Sequence, residues 1–133
     1  MNVLLSVKPK FAELIFKGTK RFEYRKAAFG RADVHKVIVY ASSPVKSIVG
    51  EFQIGETILD TPESVWEKTS GDSGVERDLF FEYFSGKKKA CAIGIKHAVK
   101  YSSPIDPRQR MPDFAPPQSF RYLDQQDWLP ADS

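Results

Sequence analysis

The sequence is poor in the side chains that bind metals or cross-link small domains. It has one cysteine and two histidines in 133 residues. A single cysteine cannot form an intramolecular disulfide, and the apolar neighbours of Cys91 predict a buried, unreactive thiol. His35 and His97 have no cysteine or histidine partner at ligand spacing. We therefore expect no metal site and no cofactor.

Long apolar runs and several enzyme motifs are also absent. No segment approaches the roughly 18 apolar residues of a membrane span. No basic and then apolar leader follows Met1, so we expect a cytoplasmic protein without a membrane partner. The phosphate-binding glycine loop, the dinucleotide-binding glycine fingerprint and the Gly-x-Ser-x-Gly turn do not occur. Their absence argues against the enzyme classes that depend on them.

What the chain does contain is typical of one globular domain. Hydrophobic residues make up 41% and charged residues 28%, as in ordinary soluble domains. We expect a single domain over residues 1–133, with a frayed tail after about residue 124. The net charge of +3 permits a partner that carries phosphate but does not require one. The oligomeric state stays open.

Hydrophobic periodicity predicts about six strands and three short helices. Strands are expected at 3–7, 21–25, 37–41, 47–54, 90–101 and 119–123; helices are expected at 9–17, at 62–68 and after a capping box at 73–76. Because helices and strands do not alternate strictly, a doubly wound parallel sheet is disfavoured. The expected fold class is α+β or mainly β, a small, partly closed, mixed β-barrel with the first helix across one opening.

Three local features of these elements can be compared with a structure. Gly50 inside the fourth strand predicts a bulge or a close approach by another part of the chain. His97 falls in the apolar set of the fifth strand, which favours a structural role. In the third helix Val75, Leu79 and Tyr83 share one face. Four further aromatic residues are interpreted as helix-packing residues: Trp66, Phe80, Phe81 and Phe84.

One charged cluster has the composition of a binding site. Lys20 lies in the turn before the second strand, while Glu23 and Arg25, two residues apart, point to the same side of that strand. A guanidinium and an ammonium can hold a phosphate, and a carboxylate can accept a hydrogen bond from an exocyclic amine. The alternative is a plain surface ladder of ion pairs worth less than about 1 kcal/mol.

The same segment carries a family resemblance. The pattern Gly18-x-Lys20-x-x-Glu23-x-Arg25, after a strand and an amphipathic helix, resembles the signature of the ASCH domain family. That family belongs to the PUA-like superfamily of small β-barrels. Four later segments resemble the family in the same order, and the likeness covers nearly the whole chain: 39–44, 49–51, 83–86 and 116–120.

The resemblance implies a cleft, lined by Lys20, Glu23 and Arg25, that binds RNA or a nucleotide-like small molecule. It implies a role in RNA metabolism or transcription regulation. Two alternatives are a small amidohydrolase acting on N4-acylated cytidine and a ribonuclease. In the amidohydrolases a threonine is the proposed nucleophile, and this chain has Glu23 at that position. If the chain is a hydrolase, Lys20 and Glu23 are the catalytic candidates, with the carboxylate as a general base.

Further polar residues are secondary candidates for the binding site. Tyr40, Ser42 and Ser43 lie at a strand end, where tyrosine could stack on a base and serine could bind a phosphate. Ser119 and Arg121 lie in the segment of the last strand. For all five the alternative is a structural role, in the core or in a turn.

Overall fold

The computed structural model of the protein describes residues 1–124; the rest of the tail predicted to fray lies outside the described residues. The strands are β1 Asn2–Val7, β2 Phe22–Arg25, β3 Lys36–Ala41, β4 Ser47–Asp60, β5 Ala90–Ile105 and β6 Phe120–Leu123. The helices are α1 Pro9–Lys17, α2 Pro62–Thr69 and α3 Arg77–Tyr83. Six strands and three short helices confirm the predicted content.

The strands form one mixed sheet in the order β2-β5-β4-β3-β1-β6. β1 and β3 pair in parallel, and the other four neighbouring pairs are antiparallel. The sheet curls into a half-barrel, so β2 and β6 are its two edges. This architecture confirms the predicted mixed, partly closed barrel and excludes a doubly wound parallel sheet.

Helix α1 is bounded as its sequence predicts. Pro9 occupies the first turn, where its missing N–H costs nothing, and Gly18 ends the helix with φ of 85°. Ala12 and Ile15 face the core. At Gly50 the pairing of β4 with both neighbours shifts register. A Cβ at Gly50 would lie 2.4 Å from the Phe16 ring and from the Val99 carbonyl oxygen, so the predicted bulge and close approach are confirmed.

The start of α3 was predicted wrongly. The helix begins at Arg77, and no side chain caps its N-terminus. The Ser73 hydroxyl instead accepts a hydrogen bond from the Val75 N–H at 3.2 Å. Because Gly74 between them has φ of +67°, the chain turns here and no capping box forms.

The placement of His97 in the apolar set of β5 was also wrong. His97 has φ of 52° and is exposed. The pairing of β5 with β4 shifts register on both sides of this residue. One of these shifts lies between Lys96 and Val99, so the predicted two-residue alternation is interrupted there. Val99, predicted to belong to the apolar set, is exposed, while Tyr101 is buried.

The core lies on both faces of the sheet. One cluster lies between α1 and the strands and contains Ile15 and Phe52; a second contains Leu4, Tyr40 and Phe114. In the third, α2 and α3 pack on β2 and β5. Its members confirm the packing role predicted for four aromatic residues: Trp66, Phe80, Phe81 and Phe84.

The thiol of Cys91 is fully buried, as predicted. Burial raises its pKa, which lowers its reactivity. Within residues 1–124 no three side chains of His, Cys, Asp or Glu are grouped as metal ligands would be. In the same range, none of the helices combines the length and apolarity needed to cross a bilayer.

Candidate ligand-binding pocket

An open pocket of about 420 Å³ lies where edge strand β2 meets helices α1 and α3 and the segment leading into edge strand β6. Its volume falls within the roughly 300–1,000 Å³ of small-molecule sites. Lys20, Glu23 and Arg25 lie on one side of it, so the structure brings the three charged residues of the sequence motif together.

Lys20 is buried beneath the segment around Ser73 and Gly74, which precedes α3. Its ammonium donates a hydrogen bond to the Ser73 carbonyl oxygen at 2.9 Å. Its Nζ also lies 4.8 Å from the centre of the Tyr24 ring and 5.5 Å from that of Phe11. Gly74 packs on its methylene groups so closely that a Cβ there would lie 2.6 Å from the Lys20 Cβ. The segment around Gly74 therefore fixes the position of the ammonium.

Glu23 lies between the two cations. Lys20 Nζ is 3.8 Å from Glu23 Oε1, and Arg25 Nη1 is 3.6 Å from Glu23 Oε2. Both distances exceed the ~2.7–2.9 Å of a short charge-assisted hydrogen bond. Arg25 also donates a hydrogen bond through Nη2 to the Ser119 hydroxyl. The four groups thus stand in the order Lys20, Oε1, Oε2, Arg25.

Burial dominates the electrostatics of this group. Desolvation raises the pKa of Glu23, and the charges of Lys20 and Arg25 oppose that shift without reversing it. Desolvation likewise lowers the pKa of Lys20, against the opposing effect of Glu23. The charged form of each side chain is therefore disfavoured in the free protein.

Another part of the pocket lining is apolar. Val75, Leu79 and Tyr83, predicted to share a face, all line the pocket. Leu79 and Tyr83 are 42% and 39% exposed, while Phe80, which also lines the pocket, and Phe84 belong to the third core cluster. Sequence reasoning did not assign this face to the site. The sequence did contain a signal for it. A short helix with two apolar faces can pack only one of them on the sheet, so the other is available to line a site.

The secondary candidates are distributed differently. Ser42 lines the pocket, and Ser119 reaches it through Arg25. Ser43 and Arg121 are exposed and are not among the lining residues. Tyr40 packs against Phe114 with ring centres 5.4 Å apart, in the second core cluster. Its hydroxyl is buried with no hydrogen-bond partner among the described residues.

A second buried carboxylate lies outside the pocket. Glu51 on β4 accepts a hydrogen bond from the Tyr101 hydroxyl through Oε1 at 2.8 Å. Its Oε2 is 2.9 Å from Lys36 Nζ. Its two oxygens therefore each have a close protein partner.

Comparisons with known proteins identify relatives of this arrangement. A family model described as ASCH domain matches residues 5–103. The chain is 26% identical over 128 residues to a Zymomonas mobilis protein named ASCH domain-containing ribonuclease, covering 92% of this chain and 84% of that protein. A crystal structure of ASCH from Zymomonas mobilis has a TM-score of 0.87 at 25% identity, covering 95% of this chain and 90% of that one.

A further relative is a much longer protein. The chain is 32% identical over 107 residues to large ribosomal subunit protein uL22 of Ureaplasma parvum. The match covers 79% of this chain and 34% of that protein. The chain thus spans about a third of the length of this relative.

Proposed function

Because this chain belongs to the ASCH domain family, we propose that it is an RNA-binding domain that takes one nucleotide unit into the pocket. The observation that carries the proposal is that the buried Lys20 and Glu23, and Arg25 beside them, line one pocket together with exposed apolar residues of α3. Charged groups and a stacking surface in one pocket are the features that bind an unstacked base.

The energetics favour a ligand-facing role for the charges. Removing a charge from water costs several kcal/mol, and only close pairing with further hydrogen bonds repays that cost. Glu23 has its two cations at 3.8 and 3.6 Å, and burial still raises its pKa against them, so the protein does not fully offset the cost of burying this charge. A ligand that donates hydrogen bonds to the carboxylate would offset more of that cost.

The names of two relatives agree with an RNA ligand. The Zymomonas mobilis protein that matches most of the chain is named a ribonuclease, and a shorter match is to a ribosomal protein. Both names concern RNA. They support the class of ligand, while the pocket geometry supports the place where it binds.

The experiment measures the affinity of short single-stranded RNAs by fluorescence anisotropy. Tyr83→Ala removes an exposed aromatic ring from the pocket lining, so binding should weaken by roughly 1–3 kcal/mol, the value of one base–aromatic stack. Leu59→Ala, an exposed apolar residue outside the pocket, is the matched control and should bind as the wild type does. Equal affinities for all three proteins would reject the pocket as the binding site.

A second candidate function is RNA cleavage, favoured by the name of the Zymomonas mobilis relative. Lys20 and Glu23 would be the catalytic residues, with the carboxylate as a general base. Burial raises the pKa of Glu23 toward the range useful for that role. The amidohydrolase alternative would use the same base on N4-acylated cytidine.

Product analysis separates binding from catalysis. The wild type is incubated with RNA and with N4-acetylcytidine, and the products are followed by chromatography. A binding domain leaves both substrates intact. Turnover that falls roughly 10²–10⁴-fold in Glu23→Gln, with affinity retained, would establish a hydrolase instead.

A further inference from the structure

The spacing of donors and acceptors in the pocket specifies a base. We infer that the pocket selects guanine, read along the edge that runs from O6 to N3. This inference rests on the proposed function and names the ligand of the same site. It depends on the order of the charged groups, described above as Lys20, Glu23 Oε1, Glu23 Oε2 and Arg25.

That order gives a pattern of hydrogen-bonding groups. An ammonium and a guanidinium are donors only, and an ionised carboxylate is an acceptor only. The site therefore presents donor, acceptor, acceptor, donor. The complementary ligand edge carries acceptor, donor, donor, acceptor in adjacent positions.

Among the four RNA bases, guanine has this sequence of groups. Its O6, N1–H, N2–H and N3 are an acceptor, two donors and an acceptor. Uracil offers acceptor, donor, acceptor, which satisfies one carboxylate oxygen. Adenine offers one exocyclic amino donor between two acceptors, and cytosine offers one amino donor followed by two acceptors, so each has donors at a single position. They leave the second oxygen of Glu23 without a donor, and an unsatisfied buried acceptor is costly.

Side-chain exposure sets the orientation of the base. The Lys20 side chain is 1% exposed and that of Arg25 is 15% exposed. The N3 edge of guanine lies next to the ribose, which must leave through the mouth of the pocket. O6 therefore points toward Lys20 and N3 toward Arg25. In this orientation the base would lie in the part of the pocket that is lined by apolar residues of α3 and by Phe11.

The experiment changes single groups of the ligand. Five-residue RNAs carry one guanosine, inosine, adenosine, cytidine or uridine at the centre of a uridine background, and their affinities are measured by anisotropy. Inosine lacks only the N2 amino group. We expect guanosine to bind about tenfold or more tightly than the other four, with the loss for inosine reporting the second carboxylate oxygen.

A protein variant provides an independent measurement. Glu23→Gln presents one acceptor and one donor in place of two acceptors, so the preference for guanosine over inosine should disappear. Glu51→Gln, an equally buried carboxylate outside the pocket, should keep that preference. If Glu23→Gln does not fold, the affinities of the five RNAs for the wild-type protein still test the inference.

The outcomes distinguish a failure of the guanine inference from a failure of the proposed binding site. Equal affinity for guanosine and inosine, or a preference for another base, overturns the guanine inference while Tyr83→Ala still weakens binding. If Tyr83→Ala has no effect on any of the five RNAs, the proposed binding site itself fails. A guanosine preference that Glu23→Gln abolishes and Glu51→Gln retains supports both.

Discussion

Glu23 and Glu51 are carboxylates buried to the same extent, each 8% exposed, but their surroundings differ. Glu51 is held by Tyr101 at 2.8 Å and Lys36 at 2.9 Å. Glu23 has its cations at 3.6 and 3.8 Å and faces an open pocket. Glu51 thus has a close protein partner at each oxygen, whereas both cations of Glu23 lie beyond short hydrogen-bond distance and its carboxylate borders the pocket.

If Glu23 is the ligand-binding group that we propose, the comparison gives a criterion for distinguishing a structural charge from a functional one. Burial alone does not separate them, and neither does the presence of a countercharge. What separates them is whether the hydrogen-bonding capacity of the group is used within the chain. Four predictions test this distinction.

The largest effect is expected at Gly74, which packs on Lys20 and so fixes its ammonium near Glu23. Gly74→Ala places a Cβ at a φ of +67° and 2.6 Å from the Lys20 Cβ. Gly86→Ala, with φ of +76° and nothing within 4 Å, carries the backbone cost alone, roughly 1–2 kcal/mol. Gly74→Ala should cost about 1–3 kcal/mol more in the free energy of unfolding, from overpacking. Urea denaturation measures both; equal losses would mean that Lys20 moves aside freely.

The next effect concerns affinity. Arg25→Glu reverses the charge at the mouth of the pocket and should weaken RNA binding by about 1–3 kcal/mol, the value of one bidentate contact, while the protein stays folded. Arg31→Glu makes the same charge change at an exposed ion pair outside the pocket. An Arg25→Glu protein that is mostly unfolded would show that Arg25 is a structural partner of Glu23.

The two carboxylates should then differ in their contribution to stability. Glu51→Gln weakens two close charged contacts and should lower the free energy of unfolding by about 1–3 kcal/mol. Glu23→Gln should lower it by less, because burial already disfavours the ionised form of Glu23. Thermal and urea unfolding of both variants provide the comparison. A larger loss for Glu23→Gln would contradict the assignment of Glu51 as the structural carboxylate.

The smallest effect is a dependence on pH. Binding requires ionised Glu23, whose pKa burial raises, so affinity should fall as the pH drops through that raised pKa. It should fall at most tenfold per pH unit, since one proton is involved. The stability of the free protein should change in the opposite direction. A raised folded-state pKa contributes stability below the unfolded pKa and loses it as the pH rises through the folded one. Titrations with wild type and Glu23→Gln test this; an unchanged profile in the variant would exclude Glu23 as the titrating group.

Much of the site could be predicted because its charges lie on one short stretch of chain. Glu23 and Arg25 share a side of β2 through the two-residue period of a strand. The residues that complete the site could not be predicted in this way. Ser73 meets Lys20 across 53 positions of sequence, and such a contact depends on how α3 packs on the sheet.

The position of Tyr40 shows a different limit. In β3 every residue from Val37 to Ala41 is buried, so neither side of the strand is marked by polar residues. Alternation then carries no information about which side faces the pocket. The structure turns Tyr40 toward Phe114, while Ser42, two residues later and past the end of the strand, lines the pocket.

The two edges of the sheet approach each other at the pocket. Arg25 on β2 donates a hydrogen bond to Ser119, the residue before β6. The segment after β2 also contacts β6, through Phe29 on Phe120 and the Gly30 N–H on the Tyr122 hydroxyl. In the proposed complex a bound base would contact β2 and the segment before β6 at the same time. It would therefore stabilise the approach of the two sheet edges for as long as it is bound. Amide hydrogen exchange along β2 and β6 should then slow together when RNA is added. The exchange rates of the two edge strands would thus report how much of the protein has RNA bound.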